Sequence, residues 1–291
     1  MANTILGLRA ETSLHAGTGM NIGAVDMPIQ REAHTGWPCV FGSAMKGALR
    51  NHAETRITPK PAWITAVFGP DQKLVKASEH AGALAVTDAR ILLLPVRSLT
   101  GHFKWVTCPS VLKRLKRDLE MVGKLVDFTV PDQPAHLKVT TPTGGDVIFL
   151  EEFQFTQVKT DLSKVITALT LFGIDEADMK NQLVIMRNDD FADFCRTATA
   201  VAPHIAIESK TKTVVGGALW YEETLPPDTL LYVMLLANAT RENATPVLSD
   251  TDVLGKVTGM FTSGDKPKPY LQIGGNETVG MGWCKVTEVK S

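Results

Sequence analysis

Residues 14–50, LHAGTGMNIGAVDMPIQREAHTGWPCVFGSAMKGALR, gather glycines, two acids, several bases and a helix start into a single stretch. Gly17, Gly19 and Gly23 free the backbone for positive φ or for close approach of a ligand. Upstream, Ile5 to Leu14 alternates, with Leu6, Leu8, Ala10 and Leu14 on one face, which predicts a strand running straight into this glycine loop. Downstream, Gly42-Ser43 predicts a helix capped by Ser43, with Met45, Leu49 and Ala53 turned inward. Amides near Ser43, with Gly47 lying between Lys46 and Arg50 on the same helix, offer oriented donors and positive charge to an anion such as a phosphate. Asp26 is the only acid between Glu11 and Glu32, and it falls between Gly23 and Pro28 in a segment that reads as loop.

The order of strand, loop and helix invites a nucleotide-binding reading, and the spacing rejects two forms of it. Gly17-x-Gly19-x-x-x-Gly23 is superficially a dinucleotide fingerprint, but Val25-Asp26-Met27-Pro28 follows where a helix should begin. Lys46 lacks the Gly-x-x-x-x-Gly run of a P-loop and precedes Gly47 instead of Ser or Thr.

Lys and Arg total 30 against 31 Asp and Glu, a formal charge of −1, so a generally basic surface for nucleic acid is excluded and positive charge has to be local. It is local in two places. Arg31 to Lys60 holds five bases against two acids, and Lys104 to Lys124 holds six against two. Either run also reads as a solvated helix face. No apolar run approaches the ~20 residues that cross a bilayer, and with neither a signal peptide nor a transit sequence in view the expected place is the cytoplasm. Cys39, Cys108, Cys195 and Cys284 form no CxxC pair, so buried thiols are expected rather than a zinc ribbon or a disulfide framework.

Along the chain, Ala83 to Val96 reads as a core strand with Asp88 as its one acid, a turn or edge carboxylate. Pro109 starts a helix with Leu112, Leu115, Leu119 and Val122 inside and Lys113, Arg114, Lys116 and Arg117 elsewhere. Residues 129–145, with Pro131, Pro134, Pro142 and Gly144-Gly145, read as a long loop. Strand and helix patterns then interleave: strand 147–158, helix 162–172, strand 183–186, and helix 189–197 capped by Asn188 or Asp189. From His204 the pattern is strands at 205–208, 214–222 and 230–237, with residues 209–213 as a polar tip carrying Lys210 and Lys212, a projecting hairpin. A last helix over 248–261 and a closing strand pair at 270–273 and 283–289 surround Gly274-Gly275 and Gly280-x-Gly282. The fold class is α+β.

HAGTG, VDMPIQRE and TGWPCVFGSAMKGALR resemble the N-terminal signature of the RAMP superfamily, most closely the repeated backbone subunit of Cmr-type (type III-B) CRISPR RNA-guided effector complexes. VTDARILLLPVRS (86–98), ALWYEETLP (218–226) and QIGGNETVGMGW (272–283) continue the resemblance in the same order over nearly the whole chain. The resemblance implies a ferredoxin-like, RRM-related palm in one domain over residues 1–291, with inserted segments around 100–145 and 200–224. The second of these would be a β-hairpin thumb that lies along bound RNA and displaces a base. The implied partners are guide CRISPR RNA, complementary target RNA, copies of the same chain in a head-to-tail filament and other effector subunits, with no membrane.

Guide binding without sequence preference uses phosphate and sugar contacts, for which His15, Gly17, Gly19, Ser43, Lys46, Gly47, Arg50, Lys210, Lys212, Gly274, Gly275, Gly280 and Gly282 are the expected residues. The final glycines read as a turn hugging a backbone, and the resemblance makes that backbone RNA. Cleavage needs an in-line 2′-hydroxyl, a group to take its proton and a group to stabilise the phosphorane. Asp26 is the expected catalytic residue, since target cleavage in the family depends on an aspartate at the matching place in VDMPIQRE. Its carboxylate would accept the proton or hold Mg²⁺ or another divalent metal, and sequence leaves both open. Two alternatives stand beside this: His15 as general base of a metal-independent guide-processing ribonuclease, and a scaffold that never cuts, with Asp26 a turn former.

Overall fold

The first strand, β1 (Ala2–Ala10), is buried on both faces over Thr4 to Leu8, because it lies inside a sheet and not at its margin. The computed structural model describes residues 1–57, 59–70, 80–263 and 268–290. After β1 come β2 (Cys39–Val40), α1 (Gly42–Arg56), α2 (Trp63–Phe68), β3 (Leu84–Val86), β4 (Ala89–Arg97), β5 (Phe103–Thr107) and α3 (Pro109–Met121). The middle of the chain forms β6 (Lys138–Thr141), β7 (Val147–Leu150), β8 (Phe153–Lys159), α4 (Ser163–Thr170), α5 (Glu176–Gln182), β9 (Leu183–Ile185) and α6 (Asn188–Thr197). Then follow β10 (Ala200–Ile207), β11 (Val214–Thr224), β12 (Leu230–Ala237), α7 (Asp250–Thr262), β13 (Tyr270–Gln272) and β14 (Trp283–Glu288). Mixed α and β structure is therefore the observed class.

One twelve-stranded sheet runs in the order β13-β14-β1-β12-β4-β5-β9-β6-β8-β7, with β2 paired to β4 and β3 to β12. Pairing is antiparallel except for β5 with β9 and β6 with β8. Helices α1 and α7 meet over the β1 end, where His52 and Phe261 rings lie 5.1 Å apart. Met45, Leu49 and Ala53 of α1 and Val253, Val257 and Phe261 of α7 are the buried residues that hold them there. Ser249 caps α7 through a reciprocal capping box with Asp252. Strands β10 and β11 form a separate two-stranded sheet, the hairpin predicted from sequence, and it leaves Ile205, Ile207 and Leu219 exposed. All four cysteines are free and buried, and burial pushes the thiols of Cys39 and Cys284 up to about 12.

Several local readings are corrected. Ser43 does not cap α1: Phe41 occupies the cap position without a side-chain bond, and the Gly42 N–H is instead satisfied by Asp88 Oδ1 at 2.7 Å. The strand expected over 83–96 is broken at Thr87-Asp88 for this reason, and Asp88 is the turn carboxylate it was expected to be. Residues 129–145 are not all loop, since Lys138–Thr141 forms β6, paired to β8 and β9. Helix α6 starts at Asn188 with Arg187 at its cap. Helix α5 went unread although its start is capped by the Asp175 side chain, which accepts from Ala177 N at 2.8 Å.

Candidate active site

The glycine loop folds back on itself as a narrow arch. Gln30 N donates to Ala16 O, Thr18 N to Pro28 O and Asn21 N to Asp26 O, so residues 16–30 form two antiparallel limbs with Met20 and Ile22 exposed at the tip. The returning limb joins the root of the projecting hairpin as an extra strand. Met27 N donates to Tyr221 O at 3.0 Å, and Glu223 N donates to Met27 O at 3.0 Å. Asp26 sits at this seam, half-buried, and its Oδ2 accepts from Tyr221 N at 2.7 Å. Its other oxygen has no partner among the described residues.

His15 lies beneath the arch, 7% exposed. Its Nδ1 is 2.7 Å from the Glu223 carbonyl, which only accepts, so Nδ1 carries the proton and Nε2 of the neutral ring keeps its lone pair. Nε2 faces Gly17, where a Cβ would stand 2.5 Å away, so this glycine makes room for the ring. Glu222 Oε1 stands 3.7 Å from Nδ1 and accepts from Asn276 Nδ2. Both Glu222 and Glu223 are buried, at 3% and 6% exposure. The Glu223 carboxylate is held by Ile29 N, by Thr199 Oγ1 and by Arg31, whose other nitrogen also reaches the carbonyls of Gly36 and Cys195.

The C-terminal glycines close the floor. Gly274 has φ +82 and would bring a Cβ within 2.2 Å of the His15 carbonyl oxygen, while Gly275 N donates to that same oxygen at 2.9 Å. Gly282 N donates to Ser13 O, and a Cβ there would meet Ile273 O at 2.0 Å. The backbone that Gly274, Gly275 and Gly282 hug within the structure is the chain's own, at His15, Ser13 and Ile273. Gly280 faces open space with φ +85, and Gly19 likewise with φ +92.

At the start of α1 the groups are less free than their types suggested. Ser43 and Gly47 are exposed, but Lys46 Nζ donates to Leu84 O at 2.8 Å, and burial together with the Arg50 charge lowers its pKa. Arg50 bonds Glu54 through Nε and the Gly69 carbonyl through a terminal nitrogen, both at 3.1 Å. The helix start and the arch are tied by buried Gln30, which donates to Gly17 O and accepts from Phe41 N. Lys210 and Lys212 are exposed at the hairpin tip, away from the seam, with Lys212 at φ 58. On α3, Arg114 pairs with Glu32 and stacks on Trp37, Lys116 donates to the Phe128 carbonyl, and Lys113 and Arg117 have no side-chain partner among the described residues.

Gln30, Arg31, Glu222, Glu223 and Asn276 are the site residues sequence reading missed. The signal was two adjacent acids in an otherwise apolar strand, Ala218 to Pro226, where alternation sends one to each face. Among the described residues no three His, Cys, Asp or Glu side chains converge as a metal cage. No described helix is long and apolar enough to cross a membrane.

Comparison with known proteins adds relatives along the whole length. The family model of the RAMP superfamily matches residues 8–285. The sequence is 39% identical to the CRISPR system Cmr endoribonuclease Cmr4 of Pyrococcus furiosus, over 97% of this chain and 94% of the relative. The solved structure of oligomeric Cmr4 from Pyrococcus furiosus is similar with a TM-score of 0.75 at 32% identity, covering 100% of this chain and 99% of the other. A chain of the type III-B Cmr-beta bound to cognate target RNA shares the fold, with a TM-score of 0.75 at 20% identity over 99% and 98% of the two chains.

Proposed function

The chain belongs to the RAMP superfamily, and from that premise we propose that it is a repeated backbone subunit of a Cmr-type CRISPR effector complex. In this role it binds guide RNA along its backbone and cleaves complementary target RNA at regular intervals in antiviral defence. The observation that carries the cleavage reading is the place of Asp26, a carboxylate with one free oxygen in an arch that seams onto the root of a projecting hairpin. Relatedness at 39% identity to a protein named an endoribonuclease supports the same reading.

The strand order β14-β1-β12-β3/β4, with α1 and α7 packed on it, supports reading this part as a ferredoxin-like palm, and the projecting β10–β11 hairpin supports reading that element as its thumb. The chain is read as one domain over 1–291, in which the insertion around 100–145 carries β5 and β6 and that around 200–224 carries the β10–β11 hairpin, while β7, β8 and β9 fall outside both. Its partners are guide and target RNA, other effector subunits and further copies of itself head to tail, a filament consistent with the oligomeric relative. Its place is the cytoplasm.

In the proposed reaction the arch holds a target phosphate near Asp26, with the adjacent 2′-hydroxyl in line. Asp26 takes the proton of the 2′-hydroxyl as the hydroxyl oxygen bonds to phosphorus to give a 2′,3′-cyclic phosphate, while the P–O5′ bond breaks and the 5′-oxygen leaves with a proton from solvent; alternatively the second oxygen of Asp26 would hold Mg²⁺. A single carboxylate fits Mg²⁺, which binds through one or two carboxylates plus water and substrate phosphate and needs no protein cage. Bound there, the metal would neutralise developing phosphorane charge. The hairpin sets which phosphate reaches the arch, and the exposed amides and lysines position the backbone. A second reading, metal-free cleavage with His15 as base, is favoured by the tautomer that leaves Nε2 unprotonated in the neutral ring.

The deciding experiment is Asp26→Ala in an assembled complex, with binding and cleavage measured separately. Normal guide and target binding with lost cleavage supports the reading. A normal rate removes Asp26 from catalysis, and a parallel loss of both makes it a turn residue in a scaffold.

A further inference from the structure

Glu223 spends every polar atom it has on the seam between arch and hairpin. Its N–H goes to Met27, its carbonyl accepts from His15 Nδ1, one carboxylate oxygen accepts from Ile29 N, and the other accepts from Arg31 and Thr199. These partners belong to four different pieces of chain: the outgoing limb of the arch, its returning limb, the segment after it, and the start of β10. Arg31 extends the set to α6 through the Cys195 carbonyl at 2.8 Å. Because Glu223 itself sits on β11, the root of the hairpin and both candidate chemical groups, His15 and Asp26, are referenced to one buried residue.

We propose that Glu223 is a positioning residue that fixes the register between the projecting hairpin and the cutting site, so that cleavage falls on one phosphodiester per subunit. This rests on the cleavage function proposed above and adds the element that makes the cut a single one. A hairpin that orders RNA and a loop that cuts it are useful together only when their separation is fixed to within a fraction of a nucleotide. The arch is narrow and its outer turn exposed, so main-chain bonds at Met27 alone leave it free to pivot. The carboxylate, bonded on both oxygens, removes that freedom. Buried carboxylates are retained when paired and fully hydrogen-bonded, which is the state of Glu223.

Glu223→Gln tests this with little change of volume. An amide has one oxygen, so whichever way it turns, either Ile29 N or the Arg31 and Thr199 donors meet an NH₂ group. In the assembled complex with guide and end-labelled target, the expected result is unchanged binding of both RNAs, a cleavage rate lower by about 10²-fold, and cuts spread to neighbouring phosphodiesters. Thr199→Val, which removes a single donor, should move rate and cut position the same way by less. The double variant should fall short of the product of the two, as groups in one network do. If Glu223→Gln does not assemble, Thr199→Val alone carries the test. Cuts at the original phosphates at the original rate overturn the inference, as does a loss of binding and cleavage together with positions unchanged. Asp26→Ala run in parallel separates the failures: if that variant cleaves normally, the cleavage reading falls whatever Glu223 does.

Discussion

Asp26 and Tyr221 are joined by a hydrogen bond of 2.7 Å, the Tyr221 N–H donating to the aspartate's Oδ2 across 195 residues of sequence. One carboxylate oxygen is thereby held on the hairpin root while its twin stays free. A residue kept only to make a local turn bonds its own neighbours, typically two residues on. Asp26 reaches instead to a distant element, the root of the hairpin.

Replacing Asp26 by Ala removes an anion from an RNA surface, so RNA affinity should stay the same or rise slightly while cleavage falls by about 10²- to 10⁴-fold. Filter binding and single-turnover cleavage on one complex check both halves. A chelation series on the unaltered complex then separates the two roles of the carboxylate. Cleavage that persists in EDTA removes the metal role and leaves the proton to Asp26 or to His15.

Lys46 and Arg50 should part company when their salt dependence is measured. Lys46 Nζ uses one donor on Leu84 O and has others to offer a phosphate, so Lys46→Ala should flatten the slope of log affinity against log salt by about 1. Arg50 already bonds Glu54 and Gly69, so Arg50→Ala should lower thermal stability and leave the slope unchanged. Equal slopes for the two variants would reject this division.

Shortening the hairpin tip at residues 209–213 with a tight two-residue turn should preserve the fold, since the tip carries no core side chain. Target RNA should then be cut with blurred or lost periodicity on a sequencing gel. An unchanged ladder would move the thumb function elsewhere in the chain.

Two neighbouring glycines offer an internal control on stability. Gly274→Ala, at φ +82 and with its Cβ 2.2 Å from the His15 oxygen, should cost roughly 2–6 kcal/mol in denaturant unfolding. Gly275→Ala has ordinary φ and a nearest approach of 3.6 Å, to His15 Cδ2, and should fold nearly as well as the parent. Similar losses at both positions would refute the contact as the cause.

What could be read from the sequence was what neighbouring residues decide together. The apolar spacing of α1 and the alternation flanking Lys210 and Lys212 are local signals, and each produced its element. The site was legible as far as Asp26 and His15, which stand alone among glycines. Glu222 and Glu223 were not, because two consecutive acids in a strand read as one solvated face and one edge. Both become buried only when a loop some two hundred residues upstream docks on the hairpin root. The same distance effect hid the intrachain neighbours of Gly274 and Gly282, which were legible as a turn hugging a backbone but not as one packed on His15 and Ile273. Lys46 and Arg50 were legible as cations on one helical face, whereas the carbonyls of β3 and of the turn after α2 that they also bond lie too far along the chain to be read.

The sheet places β1 between β12 and β14, and Trp283 N donates to Thr12 Oγ1 across 271 residues. During synthesis the arch emerges long before the glycines that support its floor, by tens of seconds at a rate of about 5–20 residues per second. A nascent chain thus presents His15 with no floor beneath it and β1 with one flank bare. Chains that stop before residue 274 lack the glycines that pack on the His15 carbonyl and leave the ribosome unable to build this pocket.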